Sequence, residues 1–169
     1  MIDTGSTGGA VRLRPPRHRV NRRALPWWGC RAAGEVLVVL AGMLLAAWWF
    51  SLWRELFLPL LVVAVLGCCY VVVMPWWRYR VHRWETTESA VYTASGWISR
   101  EWRVAPMSRI QTVDTARGPL QRVFGLSSVT VTTASAAGPL SIDGLDHRVA
   151  AELAELLTRT TQATPGDAT

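Results

Sequence analysis

A chain of 169 residues has room for one small domain and an attachment, not for a multidomain enzyme. Half of it is hydrophobic and 18% is charged, less than the usual quarter, which excludes disorder throughout. The net charge is +6, and every one of the 18 basic residues is arginine.

The excess charge lies at one end. Residues 1–33 hold seven arginines against Asp3, whereas residues 34–78 and 79–169 are each neutral. A pI near 10.2 raises nucleic acid as a partner, but the neutral C-terminal part argues against it, and a membrane surface accounts better for the arm. Residues 1–19, rich in Gly, Pro, Thr and Arg, read as a disordered basic arm. Residues 20–33 read as an interfacial segment, with Arg22, Arg23, Trp27 and Trp28 as candidate lipid or partner contacts. The plainer reading of these arginines is that they only set topology.

Residues 36–53 and 56–77 are runs of 18 and 22 residues without a charge, separated by Arg54 and Glu55. At about 1.5 Å per residue each matches a hydrocarbon core of about 30 Å. One continuous helix would leave the charged pair at membrane depth, so the pattern predicts a tight transmembrane hairpin, with Pro59 in the first turn of the second helix. Trp27, Trp28, Trp76, Trp77 and Tyr79 form one expected interfacial belt, and Trp48, Trp49, Trp53 and Phe57 the other. Ten arginines flank the outer ends of the hairpin and one its turn, which predicts cytoplasmic N- and C-termini. Cys30, Cys68 and Cys69 show no disulfide framework.

From residue 79 the period changes to two. Strands are predicted around Thr86–Thr93, from Trp97-Ile98 through Trp102-Arg103-Val104, over residues 110–115 and 129–133, and at Leu140-Ser141-Ile142. Asp146 caps a helix whose apolar face is Val149, Leu153, Leu156 and Leu157. This is an antiparallel sheet with one helix packed on it, over residues 79–162, followed by a loose tail at 163–169. Between the third and fourth strands, Gly118-Pro119 stops the strand, residues 119–124 form a helical turn burying Leu120 and Phe124, and Gly125 ends it.

These residues carry a resemblance. Arg109-Ile110-Gln111, then Gly118-Pro119-Leu120, Arg122, Phe124-Gly125-Leu126, then Gly144-Leu145-Asp146, with Ala24-Leu25-Pro26-Trp27-Trp28 ahead of a two-helix hairpin, resemble the YdbS-like bacterial PH domain family over roughly residues 20–160. The resemblance implies a bent, seven-stranded antiparallel sheet or partial barrel closed by the C-terminal helix. Five or six strands are visible, so the missing ones are expected mainly at residues 79–88. It supplies no catalytic residues, and the motif reads as structural.

The residues themselves offer little chemistry. His18, His82 and His147 are scattered with no ligand at metal spacing, and neither a nucleophile elbow nor a phosphate-binding loop is present, so no catalytic residue, metal or cofactor is expected. Asp114 and Arg122 read as a structural pair. Arg100, Arg103, Arg109, Arg117 and Arg122 make a local excess of charge, which offers a lipid-headgroup or acidic-peptide site with Arg100 and Arg103 as candidate lipid or partner contacts; the plainer reading is a solvated strand face, because strand alternation divides these arginines between two faces. Two functions compete: a protein-interaction or scaffold module, binding a partner or its own copies at the cytoplasmic face of the bacterial plasma membrane, and a sensor of anionic lipid headgroups.

Overall fold

The computed structural model describes residues 16–96, 100–134 and 138–163. The expectations for residues 1–15, for Trp97-Ile98 and for the tail beyond residue 163 lie outside the described residues. The first element is a two-residue strand, β1 (His18–Arg19), and the hairpin follows as α1 (Ala24–Trp49) and α2 (Trp53–Val81). Twenty of the 26 positions in α1 and most of α2 are apolar, and hardly any of either helix is buried in protein. At roughly 39 and 44 Å both helices exceed a hydrocarbon core of about 30 Å. Their joined ends form one rim of the hairpin, and their other ends run on into the domain.

The turn is tighter than expected. Residues 50–52 make the connection, with Ser51 in the left-handed region at φ 55. Arg54 and Glu55 therefore lie in the first turn of α2, where Glu55 is favoured by the helix dipole. Pro59 lies inside α2 rather than in its first turn. Midway down the pair, Gly67 is buried against Val36, where a Cβ would stand 2.5 Å from Val36 Cγ1, so the helices touch there because the side chain is missing.

After the hairpin come β2 (Arg83–Thr86), β3 (Ala90–Gly96), β4 (Arg100–Pro106), a 3-10 turn (Met107–Arg109), β5 (Ile110–Ala116), a short helix α3 (Pro119–Phe124), β6 (Leu126–Thr133), β7 (Leu140–Asp146) and α4 (His147–Ala163). They form two antiparallel sheets, ordered β1-β2-β3-β4 and β5-β6-β7. One strand missing from the sequence reading, β2, does lie in residues 79–88. The other, β1, comes from the arm expected to be disordered: His18 pairs with Trp84 and Arg19 with Arg83.

The inner faces of the sheets and α4 enclose a core of Val91, Ala105, Val129, Val131, Ile142 and Leu145. Asp146 caps α4, its Oδ1 accepting the Arg148 N–H at 3.1 Å. The inward face of α4 is Ala150, Leu153 and Leu157, while Val149 and Leu156, expected to be buried, are exposed. A second cluster contains Val20, Ala24, Trp27, Trp28, Met74 and Leu126, drawn from the arm, both membrane helices and β6. This cluster joins hairpin to domain. Full burial of the Trp28 ring alone removes enough area for roughly 5 kcal/mol of transfer free energy.

Candidate functional site

The junction between hairpin and domain is where most of the sequence motifs converge. Its backbone frame begins at Asn21, whose N–H donates to the Gly144 carbonyl at 3.0 Å and whose side chain donates to Asp146 Oδ2 at 3.4 Å. Gly144 has φ 77, a region that disfavours any side chain, and a Cβ there would stand 2.8 Å from Ala24 Cβ. The Gly144-Leu145-Asp146 and Ala24–Trp28 segments are therefore two halves of one contact. Gly125, at φ 68, ends α3, and its carbonyl accepts the His147 N–H at 3.2 Å, tying the central motif to the start of α4.

Trp28 forms the centre of the junction. The Arg78 guanidinium lies 5.0 Å from the Trp28 ring centroid, and the His82 ring lies 5.1 Å from it. His82 Nδ1 stands 2.9 Å from the Arg78 carbonyl, which can only accept, so Nδ1 carries the proton. Nε2 then accepts from Arg78 Nε at 3.5 Å. Burial, and after it the positive charge of Arg78, pushes His82 down to about 4, so the ring is neutral at physiological pH. Arg78 also faces Asp143 of β7, with Nη2 3.8 Å from Oδ2.

Two cavities flank this Arg78–Asp143 pair. One, of about 490 Å³, opens between β3 and β4 of the first sheet, the end of α2 and β7 of the second, and is lined by His82, Thr93, Ser95, Glu101, Arg103 and Ser141 besides the pair itself. Its charges are matched: Arg103 holds Glu101 at 3.1 Å and donates to the Pro139 carbonyl at 3.0 Å. The other, of about 390 Å³, lies between Trp27 and Arg31 of α1 and residues of α3, β6 and β7. Among the described residues no cluster of His, Cys, Asp or Glu has the makings of a metal site.

The residues singled out in the sequence are distributed as follows. Trp27 and Trp28 are buried in protein, so they offer no ring to the headgroups, and the belt on that side rests on Trp76 and Trp77, which are exposed. Arg22 and Arg23 are exposed at the start of α1. Arg100 and Arg103 are both in β4. Arg109 is exposed in the 3-10 turn, Ile110 packs against the main core, and Gln111 is exposed at a bulge between Ile110 and Thr112. Gly118 and Pro119 start α3 as expected, and Arg122 is exposed in it. Leu120, expected to be buried, is 40% exposed, and Phe124 is half-buried against the junction cluster, whereas Leu126 is fully buried. Asp114 accepts from Thr112 Oγ1 at 3.4 Å, and among the described residues no ion pair joins it to Arg122.

Sequence reasoning missed Gln121 and His82. Gln121 is buried inside the motif, accepting from Gly118 N–H at 2.8 Å and donating to Ser128 Oγ at 2.8 Å. Its signal was a polar residue in the variable position of a short apolar helix.

The bacterial PH domain family model matches residues 32–161. The chain belongs to the bacterial PH domain family. It is also 27% identical over 163 residues to the transmembrane protein YdbS of Bacillus subtilis (strain 168), covering 90% of this chain and 97% of that one. No solved structure matches it. Family membership places a PH-like domain on a transmembrane hairpin, and the junction is where the two are locked together.

Proposed function

We propose that the protein is a non-enzymatic interaction or scaffold module of the bacterial plasma membrane, holding its PH-like domain at the cytoplasmic face in a fixed pose and associating through the edge of β4. The ten-to-one distribution of arginines across the hairpin supports the cytoplasmic placement of both termini. The observation that carries the association is β4 itself. It ends the four-stranded sheet, so no described strand pairs with its outer edge, and it exposes Trp102 and Val104 on one face, at 42% and 41%. An open edge beside exposed apolar side chains is a template for strand addition.

A second copy of the chain fits this edge. Antiparallel pairing of two β4 strands centred on Trp102 sets Trp102 against Trp102 and, on either side, Glu101 against Arg103 of the copy. Opposite charges and facing aromatic rings are the cross-strand pairs that stabilise such a ladder. The test is co-purification of two differently tagged full-length copies from the same membranes. Co-purification that is lost in Trp102→Arg supports the proposal. Failure of the wild-type copies to associate, or association unaffected by Trp102→Arg, contradicts it.

A further inference from the structure

We infer that the cavity between Arg31, Arg78 and α3 holds the phosphate group of a membrane glycerophospholipid, whose acyl chains pass over Leu120 into the bilayer. This goes beyond the association through β4 and does not depend on it.

Depth is the first argument. Gly29 of α1 stands beside Pro75 of α2, its would-be Cβ 3.8 Å from Pro75 Cγ, and Val36 stands beside Gly67. Arg31 therefore lies about 3 Å further along the hairpin than the level of Pro75. Trp76 and Trp77 follow Pro75 directly and are exposed, which sets the headgroup level there. A cavity walled by Arg31 on one side of that level and Arg78 on the other is at the depth of the lipid phosphates.

The donors are the second. Arg31 meets Glu35 through Nε at 3.3 Å, so both of its terminal amino nitrogens lack a protein partner among the described residues. Arg78 is half-buried, yet its two polar side-chain contacts are His82 at 3.5 Å and Asp143 at 3.8 Å, the second beyond hydrogen-bond reach. A guanidinium has five N–H donors, and leaving them unfilled in a partly buried place is costly. Phosphate oxygens accept such forks in pairs.

The third is the lip of the cavity. Leu120 lines it while 40% exposed, and Val123, three residues on, is 78% exposed. In water this pair would be a liability. Because α3 packs beside the base of α1, at the bilayer surface, it meets the glycerol and acyl region instead.

The experiment uses full-length protein in detergent and native mass spectrometry of bound lipid. The probes are dioleoyl phosphatidylglycerol and dioleoylglycerol, which share their chains but not the phosphate. Phosphatidylglycerol is expected to stay bound and dioleoylglycerol to be lost. Arg31→Gln should weaken phosphatidylglycerol about tenfold, the scale of one charge-assisted hydrogen bond, with Arg31→Lys recovering part of it. Leu120→Glu, at an exposed position, should expel the lipid while leaving the melting temperature of the lipid-free protein unchanged, and so keeps the test valid if Arg31→Gln folds poorly. Equal retention of both lipids, or unchanged retention in Arg31→Gln and Leu120→Glu, would overturn the assignment. Displacement of the lipid by millimolar inorganic phosphate would overturn its lipid source and assign the site to a soluble phosphate.

Discussion

Protonation of His82 should loosen the junction. His82 sits at the C-terminal cap of α2, 6% exposed, with the Trp28 ring on one side and Arg78 and Asp143 facing it from α2 and β7. It titrates near 4 in the folded protein and near 6.5 when unfolded. Between those values the unfolded chain binds the extra proton, so stability is complete above about pH 6.5 and falls as the pH drops towards 4. The full loss is roughly 3 kcal/mol. In His82→Asn the side-chain amide can still donate to the Arg78 carbonyl but does not titrate. Thermal unfolding of the detergent-solubilised protein, followed by tryptophan fluorescence from pH 7.5 to 4.5, should show the wild type losing roughly 5–10 °C more than the variant. Carboxylates titrate in both proteins and cancel in the comparison. Parallel pH profiles for the two proteins would refute the buried, neutral histidine.

Gly144→Ala combines a strained φ with a clash on Ala24 and should cost roughly 2–3 kcal/mol, measured by the same thermal unfolding. Leu126→Ala, at a fully buried position, should destabilise by about 3–4 kcal/mol and Phe124→Ala, half-buried, by less; the reverse order would misplace the motif relative to the core. Asp146→Ala removes both the α4 cap and the Asn21 contact and should cost about 1–2 kcal/mol in chemical denaturation. A C-terminal alkaline phosphatase fusion should be inactive and a fluorescent-protein fusion bright; the opposite pair of results would invert the proposed topology.

What was legible in the sequence was what depends on neighbours along the chain. Apolar runs marked both membrane helices, strict alternation at residues 129–133 marked β6, and Asp146 marked the start of α4. What was hidden depends on docking. β1 is two residues long, too short to alternate, and exists because β2 offers it an edge. Trp27 and Trp28 have the composition of a headgroup belt, and only the approach of Gly144 and Leu126 from far along the chain shows them to be core. Leu120 misled for the converse reason: an apolar residue in a six-residue helix looks buried, yet the residue α3 buries is Gln121, and Leu120 is left on its open side. The candidate site shared this fate, since Arg31, Arg78 and Asp143 have no spacing that links them and meet only when the hairpin base closes on β7.

The claim that the domain is locked to the hairpin, not merely tethered, is tested most directly by hydrogen–deuterium exchange of the full chain in nanodiscs. The amides of Asn21 and Ala24, bonded at 3.0 Å to the carbonyls of Gly144 and Asn21, should exchange about as slowly as those of β6, and Gly144→Ala should release them first. Rapid exchange over residues 20–28 in the wild type, with β6 still protected, would mean a domain swinging freely on its anchor and would contradict the account.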